Sequence, residues 1–337
     1  MRLENILALT HAKLLSSPFV SEFNKIVFRA KDVTRGDLFF AYDPLQIEEA
    51  VANGAYGIVF DKKAQISDQE IAWIKVENLD EALKRILRFK LIDKKIEVYG
   101  CDAITLKLAL QIITEPSFLA LNGTFVDIYN DLDMLDDGAT VLFSPELISS
   151  ELFTKVKHLP QNPSLHIDVV EQTLFESSFI YDNVFYERQL ISPFFIPYLE
   201  QLLHLLKVLG INFRLRKFTP IDHFEAVFTN KNFEIKEFGT SDKVLIFEKS
   251  TSFANKEISY LQKQAFWAKN LYVLPQSALE NIDQNLLNGM QVAIYNKKHE
   301  IKALLKEHQF HFALIIGADK SILMQSLQLT PKTLFDF

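Results

Sequence analysis

The chain has 337 residues, 48% hydrophobic and 23% charged, with 36 basic and 43 acidic side chains giving a net charge of −7. That length accommodates two or three domains of roughly 100–200 residues, and the composition is globular rather than disordered. The acidic balance argues against a nucleic-acid partner, which normally leaves a clustered basic surface, and the single cysteine, Cys101, excludes an internal disulfide framework and fits a reducing, cytoplasmic compartment.

Residues 1–28 contain no apolar run followed by a small-residue cleavage site, so no signal peptide is expected. From Gly36 to Phe89 strands and helices alternate: strands at Asp37–Ala41, Gly57–Phe60 and Ala72–Val76, and helices at Ile47–Asn53 and from Leu79. Asn78 followed by Glu81 marks the start of the last helix, and Leu79, Ala82, Leu83, Ile86 and Leu87 share one face of it. A second unit opens with a strand at Lys95–Tyr99, a turn at Gly100 to Ala103 and a helix over Thr105–Ile113. Strand, turn, helix is the arrangement that phosphate-binding loops use. A strand at Thr140–Phe143 and a helix at Glu146–Val156 follow.

Between Phe175 and Leu190 the alternating pattern predicts two antiparallel strands, Ser178–Tyr181 and Val184–Arg188, turning at Asp182-Asn183. The stretch Gln189 to Leu199 has about eleven uncharged residues, short of the ~20 that a membrane span needs. A helix then starts around Pro197 and ends at Gly210. Arg214, Arg216 and Lys217 form one small basic cluster, read as a solvated strand face. The last third is α/β again, with strands at Lys243–Phe247, Leu271–Leu274, Gln291–Tyr295 and Phe312–Ile316.

Few residues invite chemistry. Asp131, Asp133, Asp136 and Asp137 resemble a calcium loop in charge only: a leucine stands at the third ligand position and at that of the bidentate glutamate, so a solvated loop is expected. His308 and His311 lack metal-site spacing, and no G-x-S-x-G elbow exists. Cys101 is expected as a small buried hydrophobe, with a nucleophilic role as the lesser alternative. Phe39-Phe40 and Phe194-Phe195 are candidates for exposure, since adjacent strand residues point to opposite faces.

The segment from Lys31 through Gly36-Asp37-Leu38-Phe39-Phe40-Ala41, followed by Glu49-Ala50-Val51-Ala52-Asn53-Gly54-Ala55, resembles the amino-terminal domain of the Mur ligases, in the manner of MurE and MurF. Those cytoplasmic enzymes add amino acids to the UDP-linked peptidoglycan precursor, and their first domain carries GDLFFA and then EA-x-x-x-GA. The resemblance places the family's ATP-binding loop, G-T-N-G-K-T-T, at Gly100-Cys101-Asp102-Ala103-Ile104-Thr105-Leu106. Gly100 and the magnesium-position Thr105 are retained, while the second glycine is Ala103 and the lysine is Ile104. Arg29-Ala30-Lys31 stands where the family seats uridine. The family's helix asparagine falls at Tyr198, its Gly-Arg on the adenine side at Asp222-His223, and its strand-end glutamate at Phe143, with Glu146 three residues on.

The resemblance thus implies an α/β, three-domain Mur-ligase-like architecture with a reduced central domain, over residues 1–92, 93–222 and 223–337. It implies Gly100, Thr105 and His223 as vestigial cofactor-binding positions, with no catalytic residue, metal site or bound cofactor. The expected function is a non-catalytic binding or scaffolding partner in bacterial cell-wall synthesis, engaging a protein partner or a UDP-linked precursor. The alternatives are an ATP-dependent amide ligase with an atypical loop, or a UDP-sugar or peptide-binding module. Restoring Lys at Ile104 and Gly at Ala103 is expected to return some nucleotide affinity.

Overall fold

The computed structural model describes residues 1–160, 165–215, 217–237 and 239–324. The chain divides into two compact units, Met1–Leu106 with Thr114–Leu159, and Lys107–Ile113 with the residues from Pro160 onward.

The first unit contains two sheets. Helix α1 (Leu3–Thr10) leads to β1 (Lys13–Leu14), β2 (Ile26–Val27), β3 (Leu38–Phe40), α2 (Ile47–Ala52), β4 (Gly57–Phe60), β5 (Ala72–Lys75) and α3 (Leu79–Leu91). The strand order is β1-β5-β4-β3-β2, parallel except for β1. Leu38 and Phe40 pack with residues of α1 and α3, whereas Phe39 packs on the opposite face with Ala50 and Trp73. Because both faces of β3 meet a core, the Phe39-Phe40 pair is buried rather than exposed, and the strand reads as a continuous apolar run. The Asn78 side chain accepts from the Glu81 N–H at 2.9 Å and caps α3 as expected. Gly54 sits at φ +94°, a left-handed turn after α2 that a side chain would strain.

The second sheet of this unit is built from β6 (Glu97–Gly100), β7 (Phe118–Ala120), β8 (Thr140–Phe143) and β9 (Lys157–His158); α5 (Phe125–Asp133) connects β7 to β8, and α4 (Ala103–Ile112), after β6, belongs to this unit only through Leu106. Its order is β7-β8-β6-β9, parallel throughout. Two expectations fail here. No helix spans 146–156; a single 3-10 turn forms at Ser150–Leu152. Ser144 and Ser149 accept from the N–H groups of Glu146 and Glu151, and these local side-chain bonds compete with a helical ladder. Asp131 and Asp133, expected in a loop, lie on α5, which opens with a capping box between Thr124 and Asp127. The Lys94 ammonium donates to three carbonyls at and just past its end, those of Leu132, Asp133 and Leu135, at 2.7–2.9 Å. Lys94→Met is expected to cost about 2 kcal/mol of unfolding free energy, read as a lower urea midpoint, because carbonyls of a helix end lose a charged donor.

The second unit begins with a three-stranded antiparallel sheet, β10 (Asp168–Gln172), β11 (Ser177–Tyr181) and β12 (Val184–Gln189). Asp182 and Asn183 take φ values of +50° and +61°, the two-residue turn that matches strand twist in a hairpin. Both strand pairs contain a register shift, and every residue of β10 is exposed. Helix α6 (Ile196–Leu209) carries Pro197 in its first turn and ends at Gly210 with φ +68°. Phe194 and Phe195 lie in the preceding 3-10 turn, not in a strand, and both are buried.

The remaining elements are β13 (Glu225–Thr229), β14 (Lys243–Glu248), α7 (Ala254–Gln264), β15 (Asn270–Pro275), α8 (Gln284–Leu287), β16 (Gln291–Tyr295), α9 (Ile301–Glu307), β17 (Phe312–Ile316) and α10 (Ser321–Met324). They form a sheet of order β13-β14-β17-β15-β16, with β13 antiparallel and the rest parallel. Arg214 and Lys217 are exposed outside any strand, and Arg216 lies outside the described residues. The chain is α/β as expected. Among the described residues no helix is long and apolar enough to cross a membrane.

Candidate functional site

Two places hold the residues singled out from the sequence. The first is the turn between β6 and α4. Gly100 ends β6, in register with Phe143 on one side and His158 on the other. Asp102 caps α4: its two carboxylate oxygens accept from the Thr105 N–H and from the Thr105 hydroxyl, each at 2.8 Å. Ala103, Ile104 and Thr105 are buried, the last two completely. Cys101 is buried too, its N–H donating to the Phe143 carbonyl at 2.9 Å. Burial, with a smaller push from Asp102, holds its thiol well above the ordinary cysteine range, so the nucleophile alternative lacks a thiolate.

The second place is in the second compact unit. His223 is buried, and its Nδ1 lies 2.9 and 3.0 Å from the two carboxylate oxygens of Glu248, the last residue of β14. The same carboxylate accepts from the N–H groups of Phe224, at 3.2 Å, and Ser250, at 2.7 Å. Glu257, on the first turns of α7, is fully buried, with its carboxyl within hydrogen-bonding reach of that of Glu248. Desolvation, and then the neighbouring charge of Glu248, push its carboxyl well above the carboxylate range, so Glu257 carries the proton of this acid pair. His223 also lines a cavity of about 280 Å³ whose walls include Phe195, Ile221 and Phe228. Chemically this is an imidazole oriented by a carboxylate at the edge of an apolar chamber.

Beside it, Asp222 binds the Lys249 ammonium at 3.1 Å and lies 3.6 Å from that of Lys107. Burial pushes the Asp222 carboxyl up, but the two ammonium groups outweigh it and hold it below its usual range. Glu248 and Glu257 escaped the sequence reading. The available signal was a glutamate closing the apolar run of β14, where a solvated loop residue is the ordinary expectation.

The other positions are structural in their contacts. Tyr198 on α6 is reached by the Lys256 ammonium at 3.3 Å. Phe143 is fully buried and Glu146 is exposed. Arg29 pairs with Asp32 at 2.6 Å, and Ala30 is held through its backbone by the side chains of Gln46 and Asn53. His308 binds the Leu304 carbonyl, and His311 accepts from the Lys269 N–H. No group of three potential metal-ligating side chains occurs among the described residues.

No protein-family model matches the chain. Over 135 residues, 36% of its length, the chain is 30% identical to the UDP-N-acetylmuramoyl-tripeptide--D-alanyl-D-alanine ligase of Rickettsia prowazekii (strain Madrid E), and the match spans 30% of that ligase. Among solved structures it is similar to MurF from Acinetobacter baumannii, at 10% identity and a TM-score of 0.48 over 97% of both chains. It is also similar to the MurF ligase from Thermotoga maritima in complex with ADP, at 12% identity and a TM-score of 0.49 over 91% of this chain and 96% of that one. On the sequence match, together with the GDLFFA and EA-x-x-x-GA segments of its first unit, the chain is Mur-ligase-like.

Proposed function

We propose that this Mur-ligase-like chain acts in bacterial peptidoglycan synthesis without ATP-dependent ligation, as a cytoplasmic binding or scaffolding partner. The observation that carries this reading is the turn between β6 and α4. A triphosphate approaching the start of α4 meets the Asp102 carboxylate, which already holds the Thr105 amide and hydroxyl. Phosphate sites at helix starts use those same donors, together with an ammonium, and residues 100–106 contain no basic side chain. Lys107, next in sequence, is paired with Asp222. These residues do not fit a magnesium-bound triphosphate, so no ligation step is derived through one, and Gly100, Thr105 and His223 are read as vestigial positions.

The three-part division 1–92, 93–222 and 223–337 belongs to the same reading. It is supported by the sheets, none of which, among the described residues, joins strands across residue 92 or residue 222. Magnesium-dependent phosphate release from ATP, measured on the purified chain with and without a UDP-muramyl peptide, is expected to stay at the level of a protein-free blank. Phosphoryl transfer rests on positioning and charge stabilisation, and removing one such contact alone typically costs a hundred-fold or more in rate. Robust turnover of ATP would sink the non-catalytic reading and leave the ligase alternative standing.

A further inference from the structure

We propose that a cavity of about 470 Å³ at the amino-terminal edge of the carboxy-terminal sheet binds an uncharged saccharide ring, stacked on Trp267 and held by Gln172 and Gln264. Nothing in the preceding reading assigns a ligand to this cavity, and the inference does not depend on that reading. Its location separates it from the His223 site: Val244 and Phe312 line it from the first residues of β14 and β17, whereas Glu248 closes the other end of β14.

The lining decides the chemistry. Among the described residues it contains no ionisable side chain, so a phosphate, carboxylate or ammonium entering it would lose hydration without gaining a counter-charge. The walls are instead aromatic and already fixed. Phe175 meets Phe228 edge to face at 5.9 Å and Phe312 at a tilt at 6.4 Å, and Trp267 meets Phe312 edge to face at 6.0 Å. The loop that presents Phe175 is held by the Thr173 hydroxyl, which accepts from the N–H groups of Phe175 and Glu176 at 3.2 and 3.0 Å. Trp267 remains 67% exposed despite these contacts, leaving indole surface for a ring to cover.

Size and polarity narrow the ligand further. The volume falls within the roughly 300–1,000 Å³ of small-molecule sites. The side-chain amides of Gln172 and Gln264 make no hydrogen bond to the described residues, and each offers donors and an acceptor to the cavity. An aliphatic chain would strip water from these amides and return no hydrogen bond, which is costly. A pyranose meets both requirements: its C–H face is apolar and covers an aromatic ring, while its rim hydroxyls are at once donors and acceptors, as amides require.

The test uses the full chain with N-acetylglucosamine and methyl glucoside as probes, followed by tryptophan emission and by saturation transfer to the sugar protons. The other tryptophan, Trp73, is fully buried with its indole N–H donating to the Asp68 carbonyl at 2.6 Å, so a change in emission reports on Trp267. Saturable binding in the millimolar range is expected. Trp267→Ala should weaken it at least about tenfold and Gln264→Ala a few fold, with little change in the thermal midpoint because both side chains are largely exposed. Trp267→Phe should abolish the emission change while retaining most of the saturation transfer. Three results would overturn the proposal: no transfer to either sugar at about 50 mM, transfer unaffected by Trp267→Ala, or tighter binding of a neutral aliphatic alcohol of similar size.

Discussion

Placing a lysine at Ile104 and a glycine at Ala103 is expected to destabilise the chain by several kcal/mol and to restore no nucleotide turnover. From the sequence alone the same double change promises some recovered affinity, because it rewrites the loop toward the family pattern. Position 104 is completely buried, however, and the helix start that a phosphate would approach is capped by Asp102. An ammonium there is taken out of water with no partner, and the apolar burial of the isoleucine, about 2 kcal/mol, is lost as well. Against a total stability of roughly 5–15 kcal/mol the loss is large. Urea unfolding of Ile104→Lys, Ile104→Met and the double variant separates charge from shape: the methionine variant should stay within about 1.5 kcal/mol of the native chain. A double variant as stable as the native protein that also binds magnesium-ATP would show that position 104 opens toward a working nucleotide site.

The second large effect lies at Glu257. A carboxyl whose folded-state pKa is raised contributes stability that is fully present below its unfolded pKa and is lost as pH rises toward and through the folded value. For Glu257 the window therefore starts in the ordinary carboxylate range and extends upward well above it. Within it the native chain should lose up to about 1.4 kcal/mol per pH unit from this group. Glu257→Gln mimics the protonated acid, presents an amide to the Glu248 carboxylate and does not titrate. The difference in unfolding free energy between variant and native chain should thus grow with pH, in favour of the variant. Parallel curves for the two would mean that Glu257 is not the proton carrier of the pair.

The contrast between these two sites explains how much could be read in advance. Strands buried on both faces announce themselves, and Gly57–Phe60, Thr140–Phe143 and Phe312–Ile316 lie where their apolar runs place them. So do α3 and α6, whose caps and stripes are local signals. Helix α5 was equally legible through Thr124, Asp127 and the stripe Ile128, Tyr129 and Leu132, but its aspartates drew the reading toward a loop. The stretch 146–156 misled in the opposite direction, since serine side chains decide between helix and turn only once their hydrogen bonds are known. At the sites, the departures at Ala103 and Ile104 are plain in the sequence, while the Asp102 cap is not. The pairing of His223, Glu248 and Glu257 depends on which way the end of β14 and the start of α7 face, and no local pattern encodes that.

The small sheet of β10, β11 and β12 leaves two strand edges unpaired among the described residues while exposing Val170, Val184 and Phe185. An edge of that composition, if long and flat, is a template on which another chain can add strands and seed a fibril. Here β10 carries Asp168 and Glu171, β12 carries Glu187 and Arg188, and the register shifts keep both pairings from running straight. Charge and irregularity at its edges make this apolar ribbon a poor template for added strands, even with the valines and the phenylalanine on its surface.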